Sequence, residues 1–272
     1  MKRKALIIFI TVLVIALTVL TACFVLASPN SKWPVQGKDI VRDSKLKVDR
    51  SNIAEGYFYA CTASSTSKKL KLRVVKGDTT LTYDLNGNGD MEVFPLQLGD
   101  GNYKLALYEN ISGKSYSAAG TVYLQVRLND PSVPFVYPNQ YVNYTKTSDL
   151  VGKADELCLN KSQRQAFDAV CSYMKTNFGY DYVKAATIKA GQLPDIDGSY
   201  KKKMGICQDL SAIMVAMLRS QGVPAKLMIG YAGKNYHAWV VGIVDGKEEF
   251  YDPTAQLGAI KKNVTYTVER FY

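Results

Sequence analysis

The chain has 272 residues and a net charge of +10, from 34 Lys and Arg against 24 Asp and Glu. Its basic residues are scattered, with only short runs such as 201–203, so the charge is ascribed to solvated faces and does not indicate a nucleic-acid-binding protein. Five cysteines in a chain of this length are too few for a disulfide scaffold.

The first predicted element, residues 1–28, is a signal peptide or a membrane anchor. Three basic residues at 2–4 precede an uncharged apolar run over 5–27, and a run of about 20 apolar residues can span a bilayer. Two processing sites compete with an uncleaved anchor. Val25 and Ala27 form a small-residue cleavage site, and LTAC resembles a bacterial lipobox that would make Cys23 the lipidated N-terminus. Anchor and lipoprotein are favoured over clean secretion, and each places the body outside the cytoplasm.

Residues 29–48 are polar and contain two prolines, which predicts a linker that lifts the body off the membrane. Without the three basic residues of the leader, the exported body carries a net charge of +7. A moderately basic body is compatible with an anionic cell envelope as a partner.

Residues 49–130 consist of short alternating apolar and polar runs separated by turn signals. This spacing predicts a small antiparallel β-sandwich, Ig-like or fibronectin-like. The segment DLNGNGDME places oxygen ligands from Asp84 to Asp90 as in a calcium loop, but the position of the bidentate glutamate is Pro95. A hairpin turn is therefore the preferred interpretation.

The proline-rich segment 131–139 marks the boundary of a second, α+β domain over 131–272. Beyond it the apolar period lengthens, and an amphipathic helix is predicted to end near Gly179, followed by an irregular stretch to Gly205. Cys61, Cys158 and Cys171 are predicted to be inert buried thiols, with a Cys158–Cys171 bridge as the alternative.

A second helix begins at GICQDLSA, because apolar residues follow at helical spacing and Gly222 with Pro224 supply the stop. Cys207 lies in its first turn, where the partial positive charge of a helix N-terminus stabilises a thiolate over a thiol. Gly205 is expected to leave the approach to this thiol open.

His237 is the only histidine, and it lies on a predicted strand, NYHAWVVGIV. The Asp-Gly turn at 245–246 predicts a hairpin in which Trp239 faces Asp252. His237 and Asp252 are then diagonal neighbours on one face of the sheet, roughly 7–8 Å apart in backbone terms. The three residue types fit a thiol triad: Cys207 as nucleophile, His237 as base and acid, and Asp252 as the group that orients the imidazole.

Taken together, GICQDLSAIMVAMLRSQGVPAKLMIGY, NYHAWV and EEFYDPT resemble the transglutaminase-like domain of the papain-type cysteine peptidase superfamily. The resemblance covers about residues 160–256. It implies the same roles for Cys207, His237 and Asp252, and Trp239 as a wall of the site. Many exported bacterial members carry a small β domain ahead of this one.

The side chain that completes the oxyanion hole is not evident, because no glutamine lies shortly before Cys207. Gln192 and Tyr200 are the upstream candidates, beside the backbone NH of Cys207. The expected function is hydrolysis or acyl transfer at amide bonds of proteins or peptides, without metal or organic cofactor. The alternative is a non-catalytic protein of this fold that binds or scaffolds the cell envelope.

Overall fold

The computed structural model of the chain describes residues 31–261 and 264–272. The predicted leader, with the lipidation candidate Cys23, lies outside these residues. Within the described ranges, no helix is both long enough and apolar enough to cross a membrane.

The N-terminal half of the described chain forms two four-stranded antiparallel sheets. The first has the strand order β1-β2-β3-β6 and the second β5-β4-β7-β8. In β5 alternate side chains are buried, whereas all six residues of β3 are buried, and both strands contribute to a common apolar core. The strands are β1 (Ile40–Asp43), β2 (Leu46–Asp49), β3 (Tyr57–Thr62), β4 (Leu70–Lys76), β5 (Thr79–Leu85), β6 (Glu92–Pro95), β7 (Gly101–Ser112) and β8 (Ser115–Val126).

The prediction of a linker over 29–48 is wrong for residues 40–48. These residues contain β1 and most of β2, which pair as a hairpin. Leu46 and Val48 are fully buried in the core of the sheets. Each alternates with a lysine, and an alternation of only four residues is too short to stand out in a polar sequence.

The hairpin predicted at DLNGNG is also wrong. β5 and β6, which flank this segment, belong to different sheets, so the chain crosses between the sheets here. The turn signals are real, since the side chains of Asn86 and Asn88 each accept a hydrogen bond from the backbone NH two residues on. They specify a bend without specifying which strands it joins. Among the described residues, no group of three or more His, Cys, Asp or Glu is placed to hold a metal ion.

The described residues of the C-terminal half form six helices and an antiparallel sheet of order β13-β12-β11-β14. Its helices are α1 (Asp149–Cys158), α2 (Gln163–Asn177), α3 (Tyr182–Thr187), α4 (Ile196–Lys202), α5 (Cys207–Ser220) and α6 (Pro253–Gln256). Its strands are β9 (Gly179–Tyr180), β10 (Met204–Gly205), β11 (Ala225–Ala232), β12 (Asn235–Val244), β13 (Lys247–Tyr251) and β14 (Tyr266–Phe271). The mixed α/β architecture with antiparallel sheets is compatible with a transglutaminase-like fold.

The predicted helix before Gly179 is confirmed as α2, which Ser162 and Gln165 begin with a reciprocal capping box. The predicted helix α5 and the predicted hairpin of β12 and β13 are also confirmed. The stretch predicted as irregular up to Gly205 contains α3 and α4 instead, each with an aspartate at its N-cap.

Helix α5 is the central element, and its side chains from Asp209 to Ser220 are all buried. At its end, the buried guanidinium of Arg219 donates to the backbone carbonyls of Tyr137, Ala225 and Tyr272 at 2.7–2.9 Å. Burial lowers the pKa of Arg219 to about 10, so the group stays charged near neutral pH. One side chain thus joins α5 to the interdomain connector, to β11 and to the end of β14.

Candidate active site

Cys207 is the first residue of α5, and a buried carboxylate fixes the turn that carries it. Asp209, which is fully buried, accepts hydrogen bonds from the backbone NH groups of Ile206, at 3.0 Å, and Asp195, at 2.9 Å. It also pairs with Lys184 at 2.7 Å. These contacts join the start of α5 to α3 and α4, so the half-buried thiol is carried by a rigid backbone.

Gly205 has a different role from the one expected. A Cβ on this residue would lie 2.8 Å from the Cβ of Asp209 and 3.3 Å from that of Ser199. The glycine therefore makes room for the capping carboxylate. The expectation that Gly205 keeps the approach to the thiol open does not explain why a glycine is needed here.

His237 and Asp252 meet as the predicted strand register requires. Val244 pairs with Lys247 and Val240 with Tyr251, so the two-residue turn and the parity of the hairpin are confirmed. The imidazole Nε2 lies 2.9 Å from Oδ2 of Asp252, and both side chains are buried. The predicted diagonal neighbours are thus in direct contact.

Asp252 uses both carboxylate oxygens. Oδ1 accepts from the backbone NH groups of Thr254 and Ala255 and thereby caps α6. Oδ2 accepts from the Tyr266 hydroxyl at 2.6 Å and faces His237. Burial raises the pKa of Asp252, but these hydrogen bonds outweigh burial and the pKa is lowered overall. Asp252 can therefore cap the helix that follows it with one oxygen and contact His237 with the other.

The imidazole also interacts with the thiol. Burial lowers the pKa of His237, but the hydrogen bonds to Asp252 and Cys207 and the negative charges of both outweigh it, and the pKa rises to about 9. Because Nε2 is bonded to Asp252, Nδ1 is the ring nitrogen left for Cys207. The structure thus places His237 in contact with Asp252, and the thiol of Cys207 is close enough to influence the pKa of the same imidazole.

A hydrogen bond between α5 and β12 fixes the distance between these elements. The hydroxyl of Ser211, one helical turn after Cys207, donates to the carbonyl of Ala238 at 3.1 Å. Ala238 adjoins His237, so this buried bond couples the helix that carries the thiol to the strand that carries the imidazole. Nothing in the sequence distinguished Ser211 from other small residues of an apolar helix.

Trp239, predicted as a wall of the site, is only 2% exposed. Its ring lies nearly parallel to that of His237, with centroids 6.4 Å apart, and edge-on to Tyr266 at 5.0 Å. Both Trp239 and Tyr266 therefore support the imidazole and its carboxylate from the buried side. β14, which supplies Tyr266, was not predicted.

Neither predicted upstream donor is held against the thiol. The hydroxyl of Tyr200 is engaged with that of Tyr173 at 3.1 Å, inside the helical layer. Gln192 is exposed, and its backbone carbonyl accepts from the side chain of Gln208 at 3.1 Å.

Tyr180 is an aromatic residue near Cys207 that the sequence did not reveal. Its residue pairs with Gly205 in the short parallel β9–β10 contact, two residues before Cys207. Burial and then the negative charge of Cys207 raise the pKa of Tyr180 to about 12. A protonated hydroxyl is thus available next to the nucleophile. A strand of two residues leaves no periodicity from which this could have been predicted.

The other three cysteines of the described body differ from Cys207. All four thiols are free, so the alternative of a Cys158–Cys171 bridge is not realised. Burial raises the pKa of Cys61, that of Cys158 to about 11 and that of Cys171 to about 12. Cys61 and Cys158 are buried and Cys171 is half-buried, and the raised pKa values disfavour the thiolate, which is the reactive form, at all three.

The pKa of His237 makes stability depend on pH. Because the folded pKa of about 9 lies above the ordinary 6.5, the imidazolium stabilises the native state fully below about pH 6.5, and this contribution is lost as the pH rises through about 9. The shift corresponds to about 3 kcal/mol. We expect the free energy of unfolding, measured with urea, to fall by about this amount between about pH 6 and pH 10 in the parent. This fall should come in addition to any fall that His237→Gln shows over the same range. Parallel pH profiles in the two proteins would contradict the assignment.

The sequence profile of the Transglutaminase-like superfamily matches residues 152–251, which include Cys207 and His237 and end one residue before Asp252. No curated protein matches the chain.

Solved structures show distant likeness. A proposed cysteine protease from Cytophaga hutchinsonii is 15% identical, with 78% of this chain and 83% of that chain covered and a TM-score of 0.42. The periplasmic domain of TgpA from Pseudomonas aeruginosa is 14% identical, with coverages of 83% and 79% and a TM-score of 0.37. Red sea bream transglutaminase is 13% identical, with coverages of 77% and 49% and a TM-score of 0.33.

The sequence match, supported by the order of helix, strands and hairpin over the same residues, carries the assignment. The chain therefore contains a transglutaminase-like domain, to which the profile of the superfamily matches over residues 152–251.

Proposed function

We propose that the protein is an exported cysteine enzyme that acts on amide bonds of proteins or peptides through a thioester. The observation that carries the proposal is the buried contact of 2.9 Å between His237 and Asp252, with the imidazole next to Cys207 at a helix start. A raised imidazole pKa beside a thiol favours the thiolate–imidazolium pair, which is the reactive form of such a site.

The reaction follows from the arrangement. The Cys207 thiolate attacks the carbonyl carbon of the amide, and the imidazolium of His237 gives its proton to the nitrogen as the C–N bond breaks. Water or an amine then attacks the thioester, His237 takes up its proton, and the Cys207 thiolate leaves. Asp252 stabilises the imidazolium between these steps.

The oxyanion of the tetrahedral intermediate needs donors that the upstream glutamine and Tyr200 do not supply. We assign the backbone NH of Cys207, which as the first helical residue has no partner within the helix, and the hydroxyl of Tyr180. Tyr180→Phe is expected to lower kcat roughly 10²- to 10³-fold at little changed KM. Tyr182→Phe is the matched control, since its ring packs on Tyr180 but is largely exposed. Equal kcat values for the two variants would exclude the assignment.

An activated ester tests the thioester route without knowledge of the natural substrate. p-Nitrophenyl acetate is expected to release a burst of about one equivalent of nitrophenolate and to leave an acetyl group on Cys207, detected by peptide mass spectrometry. Cys207→Ala is expected to show no burst. An acetyl group distributed over Cys61, Cys158 and Cys171 would refute the proposal.

Water and amines compete for the same thioester, so the triad alone does not set the product. Incubation with reduced, alkylated casein and dansylcadaverine separates the two: new peptides indicate hydrolysis, and fluorescent casein of unchanged length indicates transfer to an amine.

The body is proposed to act outside the cytoplasm, tethered through residues 1–28 or a lipidated Cys23. An anionic cell envelope is the proposed surrounding.

We further propose that residues 40–126 form an Ig-like sandwich. In the first sheet, β2, β3 and β6 correspond to the Ig strands A, B and E. In the second sheet, the order β5-β4-β7-β8 corresponds to the Ig strands C′, C, F and G. This order matches the two sheets of Ig-type sandwiches, with β1 as an added edge strand.

A further inference from the structure

The outer face of the second sheet, β5-β4-β7-β8, gathers basic residues that lie far apart in the sequence. A cleft of about 500 Å³ on this face is lined by Lys71, Arg73, Thr82, Tyr108, Lys114 and Tyr116. Three of these six side chains are cationic and two are aromatic, and the described lining contains no carboxylate. The fold thus collects into one basic face charges that are scattered along the sequence.

The strand register places these side chains on the face opposite the apolar core. On β4, Lys71 and Arg73 alternate with the fully buried Leu72 and Val74. Tyr108 of β7 pairs in register with Lys71, and the guanidinium of Arg73 lies over its ring, 4.8 Å from the centroid. The cleft is therefore open to solvent, and its lining is free to contact a ligand.

Cations and tyrosines lie side by side along the whole basic face. At one end, Lys104 of β7 pairs in register with Tyr123 of β8. At the other end, Lys114 in the hairpin turn lies two residues before Tyr116, which pairs with Asn110. A strand rises about 3.3 Å per residue, so the face extends roughly 20 Å along β7 from Lys104 to Asn110. A surface of this length fits a chain better than a single small anion.

Most cations of the basic face have no counter-ion within the protein. Lys71 pairs with Asp84 on β5, at the edge of the sheet. Among the described residues, no carboxylate forms an ion pair with Arg73, Lys104 or Lys114. These three groups can therefore bind an anion without first breaking an internal ion pair.

We propose that the basic face binds a linear anionic polysaccharide, whose charged groups contact the cations and whose sugar rings pack on the tyrosines. The positive charge of the face complements a polyanion and selects against a neutral chain. A tyrosine side chain offers an apolar ring to the CH groups of a sugar and a hydroxyl to its polar groups. A cleft also receives a narrow chain more readily than the broad surface of a lipid bilayer.

The binding is independent of catalysis at Cys207. Only the source of the polysaccharide, which is the anionic cell envelope, rests on the proposed action of the protein outside the cytoplasm.

The test uses the full chain with Cys207→Ala in mild detergent, so that no peptide competitor is cleaved. The probe is fluorescein-labelled oligogalacturonate, which carries a carboxylate on every sugar, and its binding is followed by fluorescence anisotropy at low salt. Arg73→Gln/Lys114→Gln is expected to weaken binding at least about fivefold. Lys161→Gln/Lys175→Gln, at exposed lysines of the helical half, removes the same net charge and should bind as the parent. Equal affinity of the two double variants, or no binding by the parent, would overturn the proposal.

The ring of Tyr116 distinguishes a polysaccharide from other polyanions. Tyr116→Ala is expected to weaken binding of the probe about three- to tenfold, because a ring contact is lost while every cation remains. An unchanged affinity would contradict the packing of sugars on the tyrosines. Arg73 and Lys114 are exposed, so the thermal midpoint of their double variant should equal that of the parent, which separates binding from folding.

Competition decides between classes of polyanion. Unlabelled oligogalacturonate should displace the probe at a lower concentration of charge than polyglutamate or dioctanoyl phosphatidylglycerol. Equal displacement by polyglutamate would assign the face to an acidic protein, and equal displacement by the lipid would assign it to a membrane; either result would overturn the proposal. A separate turnover assay with Cys207 intact tests the proposed function independently of these outcomes.

Discussion

Replacing His237 with alanine is expected to lower the rate of amide turnover roughly 10⁵-fold, close to the effect of Cys207→Ala. The imidazole both stabilises the thiolate and returns the proton to the leaving amine, and the chain has no second histidine to replace it. Cleavage of fluorescein-labelled, reduced and alkylated casein measures the effect.

Val241→Ala is the matched control for this variant. Val241 lies on β12 on the same face as His237 and is also buried, but packs with Met228 and Trp239, away from the thiol. It is expected to lower stability by about 1–3 kcal/mol while retaining most of the activity. The assignment of His237 fails if both variants lose turnover equally.

Asp252→Asn is expected to lower turnover roughly 10³- to 10⁴-fold, although the side chain changes little in shape. Its Oδ1 is held by two backbone NH groups, so the new amide NH₂ must take the position of Oδ2. A donor then faces Nε2 of His237 where an acceptor stood, and the imidazolium loses its counter-charge. Tyr266→Phe, which removes one donor to Oδ2, is expected to lower turnover only about tenfold.

Nuclear magnetic resonance of the imidazole distinguishes this positioning role from a structural one. A chain with one histidine gives one imidazole signal set, so its titration can be assigned without ambiguity. The pKa of about 9 should fall towards the ordinary 6.5 in Asp252→Asn and stay unchanged in Asp245→Asn, at the exposed hairpin turn. A pKa that is the same in all three proteins would argue against the contact.

Much of the site could be predicted because its determinants are local. The register of the β12–β13 hairpin follows from the turn at Asp245 and Gly246, and it sets the parity of His237 and Asp252. The period of α5 and its glycine stop likewise place Cys207 at a helix start. The family resemblance added the roles of these residues.

The residues that the sequence did not reveal act through contacts between distant segments. A two-residue strand brings Tyr180 near Cys207, Tyr266 donates to Asp252 from β14, and Asp209 joins three elements from a fully buried position. None of these contacts has a periodic signal. The sandwich strands were recognisable by alternation, but the distribution of β5 and β6 between two sheets depends on packing of the whole core.

Iodoacetamide labelling of Cys207 at about pH 6, in the parent and in His237→Ala, tests the central claim most directly. An ordinary thiol is almost wholly protonated at this pH. Of the other cysteines, Cys61 and Cys158 are buried, Cys171 is half-buried, and all three have raised pKa values. A thiolate paired with His237 should be labelled at least about 100-fold faster in the parent than in the variant. Equal, slow labelling of Cys207 in both proteins would contradict an activated thiolate.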